Sequence, residues 1–65
     1  MEFNDALFHI KNGKKLRRST WGNMFISLFN DEHNNQVICA QIPPIVNPWL
    51  SSSAALLADD WEIVK

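Results

Sequence analysis

The stretch MFISLFNDEHNNQVICAQI, Met24 to Ile42, decides the fold. Its first part, MFISLF, alternates Met24, Ile26 and Leu28 with Phe25, Ser27 and Phe29, the period-two pattern of a β-strand. Its last part, QVICAQI, is rich in β-branched residues and reads as a second strand. Between them NDEHNN is a polar cluster of turn-forming residues, so the two strands are expected to run antiparallel. Both faces of MFISLF carry apolar groups, which predicts that both are covered in the assembled protein.

Upstream, KKLRRST (Lys14 to Thr20) reads as an extended segment, and Trp21-Gly22-Asn23 reads as a hairpin turn because Gly and Asn both tolerate positive φ. Ahead of it, Phe3, Ala6, Leu7 and Ile10 follow helical spacing and form one apolar stripe. Asn4 is expected to cap this helix, with Asp5 in the first turn, Lys11 in the last and Gly13 ending it. Downstream, Pro43-Pro44 ends the QVICAQI strand, since proline donates nothing to a ladder. Ser51 to Ser53 are placed to cap a short helix running to Leu57, and DWEIVK reads as a last strand. The expected fold is α+β: one domain over residues 1–65, with a small antiparallel sheet, a short N-terminal helix and a short helix before the last strand.

A chain of 65 residues hides only about 60% of the surface its unfolded form exposes, so its core needs support. Cys39 is the only cysteine, which excludes an internal disulfide, and His9, His33 and Cys39 lie too far apart in sequence for a zinc site. Self-association remains, and three tryptophans with four phenylalanines suit it, so a homo-oligomer is expected. The N-terminus carries no basic-then-apolar leader, and no apolar run reaches the ~20 residues of a membrane helix. The expectation is a cytoplasmic protein with no membrane partner.

The net charge of −1 argues against a general nucleic-acid binder. Yet five of the six basic residues, Lys11, Lys14, Lys15, Arg17 and Arg18, fall in one short segment. That segment is either a place where phosphate is welcome or a solvated edge that discourages strand aggregation. Nothing in the chain resembles an enzyme's site: there is no nucleophile with a nearby base, no metal cluster and no phosphate-cradling glycine loop. Asp59 and Asp60 are adjacent in an extended segment and so point to opposite faces, and Cys39 reads as a small core residue.

Trp61 reads as core. Trp21 and Trp49 occupy loop-like positions flanked by small polar groups, Thr20 and Asn23 around one and Ser51 to Ser53 beside the other. A flat ring among such donors suits stacking on a planar base while hydroxyls and N–H groups take phosphate or ribose. The same rings would serve equally as interface anchors.

Two segments, FNDALFHIKNGKKLRRSTW and PWLSSSAALLADDWEIV, resemble the opening and closing parts of the phage-encoded Thoeris anti-defence two family, the final LLADDWEIV most specifically. The middle, from about Asn30 to Asn47, is less similar and shorter, and members usually carry Gln where this chain has Ser53 and Asp where it has Ala55. The resemblance implies a non-enzymatic protein of the infected bacterial host's cytoplasm. It would form homo-oligomers, typically tetramers or else dimers, that sequester an intact cyclic ADP-ribose isomer or related cyclic nucleotide made by TIR-domain proteins, with no cofactor or metal. On that footing Trp21 or Phe25, with Trp49 of the same or a neighbouring subunit, would sandwich adenine while Gly22 lets the backbone approach. Arg18 would face the pyrophosphate, and Thr20, Asn23, Ser51, Ser52 and Ser53 would supply hydroxyl, amide or backbone donors. Two readings of other classes stand beside it: a structural or adaptor module that buries its aromatics on a host protein, and a single-strand nucleic-acid binder.

Overall fold

The computed structural model describes all residues, 1–65, as a five-stranded antiparallel sheet with two short helices. In chain order the elements are α1 (Phe3–Lys11), β1 (Leu16–Arg18), β2 (Phe25–Asn30), β3 (Gln36–Ile42), β4 (Ile45–Pro48), α2 (Ser53–Leu57) and β5 (Trp61–Ile63). Across the sheet the strands run β4-β3-β2-β1-β5, so the last strand inserts beside the first at one edge.

The β2–β3 hairpin forms where the alternation predicts it, in full register from Phe25↔Gln41 to Asn30↔Gln36. Its turn is closed by Asp31, whose Oδ1 accepts the backbone N–H of His33 and of Asn35, both at 2.9 Å. Asn34 takes the left-handed conformation there, at φ 62°.

Two expectations are corrected, and one element is added. The β1–β2 connection is not a tight Gly-Asn turn: residues 19–24 form a longer loop in which neither Gly22 nor Asn23 has positive φ. Pro43-Pro44 does end β3, at Ile42, but the chain beyond it forms a strand that was not expected, β4, pairing Ile42↔Ile45 through Cys39↔Pro48. The four-residue span IVNP alternates too briefly for its period to be seen. Helix α1 begins two residues early: Glu2, not Asn4, is its N-cap residue and makes no side-chain cap bond, whereas Gly13 does end it at φ +85°. The α2 expectation holds, with Ser52 Oγ accepting the Ala55 N–H at 3.2 Å.

The strand registers assign the faces. Leu16, Ile26, Leu28, Ile38, Ala40 and Ile63 look toward the helices, and with Ala6 and Ile10 of α1, Ala55 of α2 and Trp61 they make the core. Arg17, Glu62, Phe25, Ser27, Phe29, Val37, Cys39, Gln41 and Val46 share the other face, which no helix covers. Cys39 is buried, but on this second face, apart from the helix-side core.

Candidate functional site

Four aromatic rings meet where α1, β5 and the loops before β2 and α2 converge. Trp61 stands at the centre, only 2% exposed, with its indole Nε1–H donated to the Ala55 carbonyl at 3.0 Å. Around it lie Trp21 at 5.1 Å, Phe3 at 5.3 Å and Trp49 at 6.0 Å between ring centroids. Trp21 and Trp49 touch each other edge to face, 6.3 Å apart with planes inclined at 68°. Each remains partly exposed, so each presents one ring edge or face outward from a rigid base.

The β1–β2 loop that carries Trp21 is fastened on both sides. The Trp21 N–H is donated to the Arg18 carbonyl at 3.0 Å, and the Ser19 N–H to the Asp60 carbonyl at 3.1 Å. Asp60 accepts Arg18 Nε at 2.9 Å through Oδ1 and the Ser19 hydroxyl at 2.8 Å through Oδ2. The Arg18 hydrogen bond, followed by that from Ser19, holds the Asp60 carboxyl below its usual range. Arg17, on the other face, donates Nε to Glu62 Oε1 at 2.8 Å and Nη1 to the Gly22 carbonyl at 3.1 Å. Both arginines therefore already hold carboxylates, whereas no carboxylate lies within ion-pair distance of Lys11, Lys14 or Lys15. Lys15 instead sits over the Phe25 ring at 5.1 Å.

Of the residues singled out in the sequence, the fold brings Thr20, Trp21, Gly22 and Asn23 together on one loop, with Arg18 at the end of β1 leading into it, and sets Trp21 against Trp49. Ser51, Ser52 and Ser53 follow Trp49, all exposed, with the Ser52 hydroxyl occupied as the α2 cap. Phe25 stands apart: its register puts it on the uncovered face, opposite to Ile26. Beside Trp49 opens a groove of about 600 Å³ lined by Phe3, Leu7, Gln36, Ile38, Ser51 and Leu56 among others. Phe3, Leu7 and Leu56 were legible only as helix residues, and Gln36 only as a strand end. Their convergence depends on how α1 lies across the sheet, for which the sequence carries no local signal.

No group of three or more metal-ligating side chains occurs, and no helix is long and apolar enough to cross a membrane.

A small antiparallel sheet with helices on one face and an aromatic cluster where its loops meet defines the class as a compact α+β domain. Residues 1–64 match the family model described as the Thoeris anti-defense 2-like domain, and the chain belongs to that family. Membership suggests an anti-defence role. No curated protein matches the chain.

Proposed function

We propose that this protein binds and sequesters a cyclic nucleotide immune signal, of the cyclic ADP-ribose type made by TIR-domain proteins, without degrading it. The observation that carries the reading is the cluster of Trp21, Trp49, Trp61 and Phe3, in which a buried ring fixes two partly exposed ones beside small polar side chains. Aromatic faces take a base of any sequence context by stacking, and nearby hydroxyl and amide groups suit ribose and phosphate. Because Trp21 and Trp49 of one chain meet edge to face, they leave no slot between them for a ring. A base stacked on either one is covered on its second side by a neighbouring subunit, which favours a homo-oligomer, dimer or tetramer, acting in the cytoplasm of the infected host.

Sequestration works by mass action, so the protein has to outnumber the messenger and hold it tightly. A Kd near 1 nM corresponds to roughly −12 kcal/mol, which calls for a pocket that is largely formed beforehand. Arg18 would meet the pyrophosphate through the guanidinium N–H groups that Asp60 does not occupy, and Thr20, Asn23, Ser51, Ser52 and Ser53 would contribute side-chain or backbone donors. The test is calorimetric titration with cyclic ADP-ribose isomers, cyclic di- and trinucleotides and linear ADP-ribose, followed by recovery of the ligand. Tight binding of one intact cyclic species is expected. Binding of none, or recovery of a cleaved product, overturns the reading.

A second reading, an adaptor for a host protein, is favoured by exposed apolar side chains outside the cluster: Leu50 at 90%, Leu57 at 85% and Phe8 at 64%. A protein that binds no nucleotide in the titration and forms a stoichiometric complex with a host protein would support it.

A further inference from the structure

We propose that Arg17, which has no place among the ligand-contacting candidates, is the positioning residue of the site: it holds Trp21 in its binding orientation from the opposite face of the sheet. The inference rests on the nucleotide-binding reading above for its consequence, but the lock itself is independent of that reading.

The geometry points to this role. The side chain of Arg17 lies on the uncovered face, with Glu62, whereas Trp21 packs on the helix side against Trp61 and Trp49. Its guanidinium uses Nε for Glu62 Oε1 at 2.8 Å and Nη1 for the Gly22 carbonyl at 3.1 Å, so one rigid fork connects β5 to the residue immediately after Trp21. The residue on the other side of the loop, Ser19, is fastened to Asp60 by both its backbone and its hydroxyl. Trp21 is thus strung between two anchors, Ser19 held by Asp60 just before β5 and Gly22 held by Arg17, which Glu62 of β5 fixes in turn. Remove the Arg17 anchor and Gly22 loses the side-chain hydrogen bond that ties this end of the loop down, because nothing else donates to the Gly22 carbonyl.

The pair is too exposed to matter much for overall stability. Arg17 and Glu62 side chains are 40% and 44% exposed, and pairs of that kind contribute little to folding. What Arg17 adds is local: it reduces the number of loop conformations that have to be given up when a ring stacks on Trp21. Lysine is a poor substitute, since one ammonium on a flexible stem does not span a carboxylate and a carbonyl in the fixed fork geometry.

The experiment compares wild type, Arg17→Gln, Arg17→Lys, Trp21→Ala and the Arg17→Gln/Trp21→Ala double variant. Backbone amide exchange is read by NMR without ligand, and affinity by titration with cyclic ADP-ribose isomers. Arg17→Gln and Arg17→Lys are expected to speed exchange of the Trp21 amide by about tenfold while leaving Leu28 and Ile38 in the sheet unchanged. Arg17→Gln should also weaken binding by about tenfold in wild type and by nothing further in the Trp21→Ala background, the coupling expected of residues that act as a unit. Unchanged Trp21 exchange overturns the lock, as does an equal loss of affinity with and without Trp21. A wild type that binds no cyclic ADP-ribose isomer while its Trp21 amide still responds to Arg17→Gln sinks the nucleotide reading and leaves the lock standing.

Discussion

The Trp61 indole N–H is donated to the carbonyl of Ala55 at 3.0 Å, across the junction of β5 and α2. This bond joins the last strand to the short helix that follows Trp49, so the floor of the aromatic cluster and the segment bearing its serines are one unit. At 2% exposure, Trp61 has no water to replace the bond if it is lost.

Trp61→Phe keeps most of the ring's volume but leaves the Ala55 carbonyl without this donor. A buried polar group left unpaired costs about 1–3 kcal/mol. A lowered urea midpoint with an unchanged slope is the expected result. A midpoint equal to wild type would mean that water reaches Ala55 in the folded state.

Trp49→Ala removes a ring that contributes stacking surface to the proposed site and contacts Phe3, Trp21 and Trp61. Loss of one base stack weakens binding by about 1–3 kcal/mol, or roughly 5- to 150-fold. Titration of a cyclic ADP-ribose isomer alongside sedimentation distinguishes the roles: weaker binding by an intact oligomer assigns Trp49 to the ligand. Dissociation into monomers without a separate binding defect assigns it to structure.

Asp60 gives the protein an acid-sensitive link. Its carboxyl is held below the ordinary value of 3.8 by Arg18 and Ser19, so it binds fewer protons folded than unfolded. The associated stability is fully present above that ordinary value and fades as pH falls through the lower folded value. Urea midpoints measured from pH 6 downward should therefore drop more steeply for wild type than for Asp60→Asn once the pH is below about 4. Parallel curves would show that the Arg18–Asp60–Ser19 contacts do not persist in solution.

The two glycines should respond differently to alanine. Gly13 has φ +85°, where a side chain is strained, so Gly13→Ala is expected to destabilise by about 1 kcal/mol. Gly22 has neither positive φ nor any atom within 4 Å of an added Cβ, so Gly22→Ala should fold as well as wild type. Any loss of nucleotide affinity in Gly22→Ala then reports a ligand approaching that backbone, with thermal denaturation as the control.

Much of the fold was legible because its signals are local. The alternation in MFISLF, the run of β-branched residues in QVICAQI, the turn chemistry of Asp31 and Asn34, and the Ser52 cap each act within a few residues, and each appears where it was expected. The misses have one common cause. Trp21-Gly22-Asn23 has the composition of a tight hairpin turn, but the single Leu16↔Ile26 pairing of β1 with β2 and the attachment of Arg17 and Arg18 to β5 open it into a longer loop. Likewise, β4 exists because β3 offers it an edge, and four residues that follow Pro43-Pro44 and end in Pro48 carry too little pattern to announce that. In the site, Trp21, Thr20, Asn23, Trp49 and the serines could be singled out as rings flanked by polar groups. That Trp21 and Trp49 touch while Phe25 faces the other way follows from register, and Gln36 and Phe3 reach the groove only through tertiary packing.

The sequence contains no tyrosine, and all three of its indoles lie within 6.3 Å of one another. At such distances their electronic transitions interact, so the whole ultraviolet emission and much of the near-ultraviolet circular dichroism of the protein originate in one cluster. A planar ring settling on Trp21 or Trp49 changes both signals at once. The molecule thus carries its own optical probe at the place where its occupancy is in question, with no label to attach.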